Sequence, residues 1–363
     1  MKVGILGTRG IPNTYGGFEQ FAEHLALGLV QRGHQVLVYT SNINPYKEKE
    51  WHGVKLIRCR NWEDKFGTAG QFIYDLNCIN DARKQKFDVL LHLGYSSDSI
   101  WHRLWPRETI NIVNMDGLEW KRAKYSKLSQ KFLKKAERWA VLHADHLISD
   151  SIEIKKYLLS QYQKNSTFIP YGADVFTEQD ASLLNALSLQ PWQYFLMVAR
   201  LEPENNIEMI IEGVLGSRQT GPLIIVGTPT TPLGKKLQRK YSDKRIQLLG
   251  AIYDQVLLNN LRFFSRLYFH GHSVGGTNPS LLEAMGCGCR IAAHDNVFNR
   301  AILEYGADYF TTADQVAQIT NQSYHEPAAD NRREANLQKI QSVYSWTSVI
   351  DEYEKLMLDL VPH

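Results

Sequence analysis

His270-Gly271-His272-Ser273-Val274-Gly275-Gly276-Thr277-Asn278-Pro279-Ser280-Leu281-Leu282-Glu283-Ala284-Met285 follows the short apolar run Leu267-Tyr268-Phe269. The run reads as a buried strand, and the residues after Asn278 read as the opening of a helix. Asn278 suits the N-cap, and Pro279 suits the first helical position, where a missing N–H is no loss. Glycines let the main chain come close to a ligand, while the unpaired N–H groups and dipole of a helix start attract an anion. The stretch therefore reads as a socket for a diphosphate, formed by Gly275, Gly276, Thr277, Asn278, Ser280 and Leu281. One turn into the helix, Glu283 is placed to accept hydrogen bonds from a ribose.

Outward from this socket, apolar runs alternate with helical patterns throughout the chain. In the first half the strands are Val3 to Leu6, Val36 to Thr40, Val89 to His92, Ile110 to Val113 and His146 to Ser149. In the second they are Tyr194 to Ala199, Leu223 to Gly227, Ile246 to Gly250, Leu267 to His270 and Ile291 to Ala293. This βαβ rhythm predicts an α/β protein with two doubly wound, Rossmann-like parallel sheets. Phe168-Ile169-Pro170-Tyr171-Gly172-Ala173-Asp174 interrupts it and is read as the hinge, giving domains 1–172 and 173–343. Ligands of such sheets gather at the carboxyl ends of the strands, so two facing sheets predict a cleft with one substrate on each wall.

Composition agrees with this reading. A chain of 363 residues, 44% hydrophobic and 22% charged, is globular material too long for one comfortable core. A formal charge of +3 gives no case for nucleic acid, and no RNA- or DNA-binding signature accompanies it. Cys59, Cys78, Cys287 and Cys289 include no zinc or redox spacing, which predicts reduced thiols and a cytoplasmic setting. The glycine-interrupted start lacks the apolar length of a signal peptide, and no stretch has the length of a membrane span.

The first strand runs into Gly7-Thr8-Arg9-Gly10-Ile11-Pro12-Asn13-Thr14-Tyr15-Gly16-Gly17-Phe18-Glu19. Gly4, Gly7 and Gly10 have a spacing used by some dinucleotide-binding enzymes, a weak signal alone. The second strand, however, ends Val38-Tyr39-Thr40-Ser41-Asn42 with no carboxylate for an adenosine ribose, and no Tyr is followed four residues later by Lys. Gly16 and Gly17, directly before a helix, point instead to a lid reaching phosphate or sugar; the plainer alternative is a tight strand-to-helix turn.

These segments, with Asn114-Met115-Asp116-Gly117-Leu118-Glu119-Trp120-Lys121-Arg122 and Ala199-Arg200-Leu201-Glu202-Pro203-Glu204-Asn205-Asn206, resemble the retaining glycosyltransferases of the GT-B architecture, family 4. Within that family the chain is most similar to bacterial rhamnosyltransferases of polysaccharide assembly, along its whole length. The resemblance implies a nucleotide-sugar donor, dTDP-β-L-rhamnose, on the C-terminal domain and a lipid-linked saccharide acceptor on the N-terminal one. It implies no metal or other cofactor, and the sequence has no Asp-x-Asp motif. It places Arg200 on the donor diphosphate. Where the family usually has a Lys five residues later this chain has Asn205, and Arg9 from the facing wall is a candidate replacement. Of two glutamates usually eight positions apart only Glu283 is present; the earlier position is Gly275.

On the N-terminal side, Asp116 follows the strand Ile110 to Val113 and is read as a contact to sugar or acceptor hydroxyls, as a base, or as a loop cap. Tyr15, His92, Tyr95, Glu119 and His272 are the remaining candidate sugar or acceptor contacts. Lys121, Arg122, Lys124, Lys127, Lys131, Lys134, Lys135 and Arg138, interleaved with Tyr125, Leu128, Phe132, Leu133 and Trp139, predict a basic helix face. That face is either a surface for anionic lipid, over 121–139, or a solvated exterior above an apolar stripe. The tail 344–363 has helical periodicity, and by resemblance it crosses back to the first domain with Trp346 as its anchor. Three alternatives stay open: another hexosyltransferase using a UDP- or GDP-sugar, a non-catalytic sugar-nucleotide-binding subunit, or an NAD-dependent epimerase or dehydratase.

Overall fold

Short runs rich in Val, Ile and Leu become the central strands, because a parallel sheet covered by helices buries both faces of each run. The computed structural model describes residues 1–14, 16–122, 125–322 and 331–361. It divides into two units: Met1–Lys121 with Tyr125–Tyr171 and Trp346–His363, and Arg122–Lys124 with Gly172–Ser345.

The first unit holds β1 (Lys2–Leu6), β2 (Gln35–Ser41), β3 (Glu50–Trp51), β4 (Val54–Cys59), β5 (Val89–Leu93), β6 (Ile110–Met115), β7 (His146–Ser149) and β8 (Thr167–Phe168). Their order is β3-β4-β2-β1-β5-β6-β7-β8, parallel except for the β3–β4 pair. The order reverses between β1 and β5, where Val3 pairs with Val89 on one side and Val36 on the other.

The second unit holds β9 (Phe195–Val198), β10 (Leu223–Val226), β11 (Ile246–Gly250), β12 (Leu267–His270), β13 (Ile291–His294) and β14 (Asp308–Phe310), ordered β11-β10-β9-β12-β13-β14. Here the reversal falls between β9 and β12, which pair through Leu267 with Phe195 and Tyr268 with Leu196. Phe195, Met197, Ile210, Ile211, Val214, Ile225 and Phe269 form its buried core. Each such side chain contributes roughly 1.5–3 kcal/mol when taken from water. In sheets of this kind, ligands bind beyond the carboxyl ends of the strands at the reversal, so the topology marks one crevice in each unit.

The last helix, Trp346–Leu360, buries Trp346, Val349, Ile350, Tyr353 and Met357, an apolar stripe at helical spacing. It packs on the first helix, Gly17–Gln31, within the first unit. Trp346 stacks on His24 at 4.1 Å between ring centroids. Asn114 at the end of β6 donates to the Tyr353 hydroxyl at 2.8 Å.

The α/β class and the principal strands are those the sequence indicates. The edge strands β3, β8 and β14 and the penultimate strand β4 are not among the runs read from the sequence; β3, β8 and β14 are only 2 or 3 residues long. In β4, Lys55 and Arg58 face outward and break the apolar run. Among the described residues no helix is long and apolar enough to cross a membrane.

Candidate functional site

At the reversal of the second sheet, the chain leaves β12 and forms the helix Pro279–Gly286 after a glycine-rich loop. Asn278 caps this helix, its side-chain oxygen accepting from the Ser280 N–H at 3.0 Å. The N–H groups of Leu281 and Leu282 are taken by the Asn278 carbonyl. The amides of Gly275, Gly276 and Asn278 donate to no acceptor among the described residues. The open N–H groups of the socket thus lie ahead of the proline; the expectation that Ser280 and Leu281 present theirs gives way to capping. The Ser280 hydroxyl also turns inward, donating to the Val198 carbonyl at 3.1 Å, and Leu281 is core. Gly275 has φ +139 and open space beside it, so the position that lacks the family carboxylate has a main-chain conformation that disfavours any side chain. Thr277 is buried behind it.

Glu283, one turn into the helix, is held by an ion pair with Arg262, a residue that is 1% exposed. Arg262 also donates to Asn259 at 2.8 Å. The sequence reading missed this buried arginine; its signal was a lone charge inside the apolar stretch Leu257 to Phe264.

Arg200 stands two residues past the end of β9, is exposed, and makes no side-chain hydrogen bond or ion pair among the described residues. Asn205 is buried and donates its amide to the Arg200 carbonyl at 2.7 Å. Asn205 therefore shapes the turn that presents Arg200, its side-chain amide engaged by the main chain. The next turn is laced to the glycine-rich loop: Asn206 donates to the Gly271 carbonyl at 2.8 Å, and a Cβ on Gly271 would lie 2.1 Å from the Asn205 carbonyl oxygen.

His270 and His272 stack with centroids 4.4 Å apart. Burial, with His272 and His294 nearby, keeps His270 well below the usual imidazole range. Burial and the neighbouring Arg200 charge push His272 down to about 3. Both rings are neutral at pH 7, so His272 offers a ligand an uncharged ring.

In the first unit the Gly7 to Asn13 loop is fastened down. The Arg9 N–H donates to Glu19 at 2.8 Å, the Asn13 N–H to Glu23 at 2.6 Å, and the Ser41 N–H to the Arg9 carbonyl at 3.0 Å. The Arg9 guanidinium forms a two-pronged pair with Glu63, at 2.8 and 2.6 Å. This anchoring corrects the expectation of a lid for that half of the loop, and Arg9 must leave Glu63 before it can meet another anion. Gly16 caps the first helix with extended main chain, and the Gly17 carbonyl accepts from the Tyr171 hydroxyl at 2.9 Å. Tyr15 lies outside the described residues.

Asp116 follows β6 and is partly exposed, with Oδ1 3.9 Å from a Cβ built on Gly94 at the end of β5. His92 is fully buried, with Nδ1 2.6 Å from Asp98 and Nε2 3.3 Å from Asn111. Tyr95 is equally buried; its hydroxyl donates to the Gly117 carbonyl at 2.8 Å and accepts from the Glu119 N–H at 3.1 Å. His92 and Tyr95 are therefore positioning groups beneath the Asp116 to Glu119 loop, a correction to their reading as sugar or acceptor contacts. Asp75, also unread, is 1% exposed; burial and the Asp98 charge push it up to about 8 against hydrogen bonds from Ser97 and Gln71.

The basic helix, Lys127–His143, buries Leu133, Ala136, Glu137, Ala140 and Val141. Glu137 is fully buried and accepts from Trp120, Lys134, Tyr157 and Tyr162 at 2.6 to 2.9 Å, which ties Lys134 down. Lys121, Lys127, Lys131, Lys135 and Arg138 remain exposed, with Leu128 79% exposed among them. Lys124 lies outside the described residues. A groove of about 640 Å³ lined by Lys134, Lys135, Arg138, Leu142 and Tyr162 adjoins this helix.

The profile of a family described as a domain of unknown function, DUF1972, matches residues 100–174. No curated protein matches the chain by sequence. Among solved structures it is similar to sucrose-phosphate synthase from Thermosynechococcus elongatus, with TM-score 0.84, 16% identity, and 99% of this chain and 98% of that one covered. It is also similar to Anabaena HepE in complex with UDP and glucose, with TM-score 0.75, 16% identity, and 99% and 100% covered. The α,α-trehalose 6-phosphate synthase of Burkholderia multivorans gives TM-score 0.71, 11% identity, and 99% and 96% covered. These likenesses establish the fold of this chain as GT-B, with two Rossmann-like parallel-sheet units.

Proposed function

We propose that the chain is a retaining glycosyltransferase that moves L-rhamnose from dTDP-β-L-rhamnose to a hydroxyl of a lipid-linked saccharide in cell-surface polysaccharide assembly. The observation that carries the reading is that the open Gly275, Gly276 and Asn278 amides follow β12, while the exposed Arg200, with no side-chain hydrogen bond or ion pair among the described residues, follows the adjacent β9 at the sheet reversal. Main-chain N–H groups and a guanidinium converging at a helix start are suited to a diphosphate. Structures of the same fold hold UDP and glucose, or UDP-glucose, in HepE, which supports a nucleotide sugar as ligand. Glu283 takes the ribose, oriented by Arg262. The choice of rhamnose and of dTDP rests on the motif resemblance.

Chemistry then follows from charge. The bond from the anomeric carbon to the diphosphate breaks as Arg200 and the loop amides stabilise the departing oxygen. The acceptor hydroxyl attacks the same face and gives its proton to that phosphate, so catalysis is chiefly positioning and needs no metal. Retention leaves a β-linked rhamnoside. Asp116, with its loop braced by Tyr95, binds acceptor or sugar hydroxyls. The enzyme works in the cytoplasm, peripheral to the inner face of the membrane through its exposed basic helix.

A panel of dTDP-, UDP- and GDP-sugars followed by thermal shift tests the reading, because a ligand bound only by the folded chain raises its melting temperature. The largest rise belongs to dTDP-rhamnose. A larger rise with a UDP- or GDP-sugar reassigns the donor, and no rise with any of them removes the function.

A further inference from the structure

Glu204 lies in the turn Pro203–Asn205 that follows β9, and it is 8% exposed. Neither of its carboxylate oxygens meets a donor among the described residues. The contrast within the chain is sharp: Glu137 has four donors, Glu19 accepts from the Arg9 N–H, and Asp98 is bonded to His92. A buried carboxylate without donors is among the costliest arrangements in a fold, and one retained at a site calls for donors from elsewhere.

Its position says from where. The Glu204 carbonyl accepts from both the N–H and the hydroxyl of Ser273, at 3.0 and 2.8 Å. The Glu204 main chain is thereby fastened to Ser273, at the start of the loop whose Gly275 and Gly276 amides are open, four residues from Arg200. A carboxylate only accepts hydrogen bonds, so it repels phosphate and requires hydroxyl or N–H donors. A cation would need further ligands, and no group of three His, Cys, Asp or Glu side chains among the described residues could hold one. Of the parts of a nucleotide sugar, the diphosphate is excluded by charge and the ribose falls to Glu283. What remain are the base, whose ring offers a single N–H donor, and the transferred sugar, whose neighbouring ring hydroxyls match two acceptor oxygens.

We propose that Glu204 grips the ring hydroxyls of the donor's sugar and so sets donor specificity. The proposal deepens, and rests on, the reading of this edge as a nucleotide-sugar site. Calorimetry of wild type, Glu204→Gln and Glu204→Ala with dTDP, UDP, dTDP-rhamnose and UDP-glucose tests it. The variants are expected to bind the bare diphosphates as wild type does, while the sugar nucleotide preferred by wild type binds roughly 10- to 100-fold more weakly, the range for hydrogen bonds to a charged group. Glu204→Gln, which removes a buried charge, is expected to melt no lower than wild type. Unchanged sugar-nucleotide affinity overturns the proposal and leaves the site reading intact. So does equal weakening of diphosphates and sugar nucleotides with a lowered melting temperature, which marks Glu204 as structural. If wild type binds none of the four, the site reading fails and the proposal with it.

Discussion

Arg262, 1% exposed, pairs with Glu283, and each holds the other in place beneath the glycine-rich loop. Removing one partner of a buried pair strands the other charge. Arg262→Met is expected to destabilise the fold by about 3–5 kcal/mol, while the double change Arg262→Met with Glu283→Met recovers most of the loss. Urea unfolding of wild type and the two variants checks this. If Arg262→Met costs less than about 1 kcal/mol, the pair does not position Glu283.

Arg200 and Asn205 separate contact from support. Arg200→Ala is expected to weaken dTDP binding roughly 10- to 100-fold with the melting temperature unchanged, since its side chain is exposed and makes no hydrogen bond or ion pair among the described residues. Asn205→Ala removes the 2.7 Å bond to the Arg200 carbonyl, so it should lower stability by about 1–2 kcal/mol and weaken dTDP binding less than Arg200→Ala does. Calorimetry and thermal melts distinguish the two. Equal effects of both changes on affinity and stability contradict the division of roles.

Acid lowers stability through the histidine pair. His272 titrates at about 3 in the fold against 6.5 ordinarily, so its neutral form is favoured there. Its contribution is complete above pH 6.5 and is lost as the pH falls toward 3, by up to about 1.4 kcal/mol per unit. His272→Asn should flatten the stability profile below pH 6. A profile unchanged by the substitution rules out the buried neutral ring.

Asp75 works in the opposite direction. Its carboxyl is pushed from 3.8 up to about 8, so the folded state holds the proton. That contribution is complete below pH 4 and is lost as the pH rises through 8. Asp75→Asn should therefore stabilise the protein at pH 9 relative to wild type and leave it nearly unchanged at pH 4, as read by urea midpoints. Equal shifts at both pH values contradict a buried protonated carboxyl.

The exposed Lys127, Lys131, Lys135 and Arg138 beside Leu128 predict binding to vesicles containing anionic phospholipid. Co-sedimentation should fall away at 0.5 M salt and in a variant with these four positions changed to Gln. Absence of binding at low salt contradicts a lipid-facing helix.

What could be read from the sequence was local. Asn278 followed by Pro279 signals a cap whatever surrounds it, and the apolar runs of β1, β5, β9 and β12 declare buried strands. The reading failed where tertiary pairing decides. Nothing near Glu283 announces Arg262, which arrives from another helix, and nothing near Arg9 announces Glu63. His92 and Tyr95 lie at the strand end that usually faces ligand, yet Asp98, Asn111 and the 117–119 main chain had already claimed their polar atoms. The amides of Ser280 and Leu281 were misassigned because the Asn278 cap, correctly read, uses the N–H groups that the socket was thought to expose.

A crystal structure with dTDP-rhamnose bound tests the central claim most directly. The diphosphate is predicted to lie within hydrogen-bond reach of the Gly275, Gly276 and Asn278 amides and of Arg200. A nucleotide seated instead on the Gly7 to Gly17 loop of the first unit would contradict it.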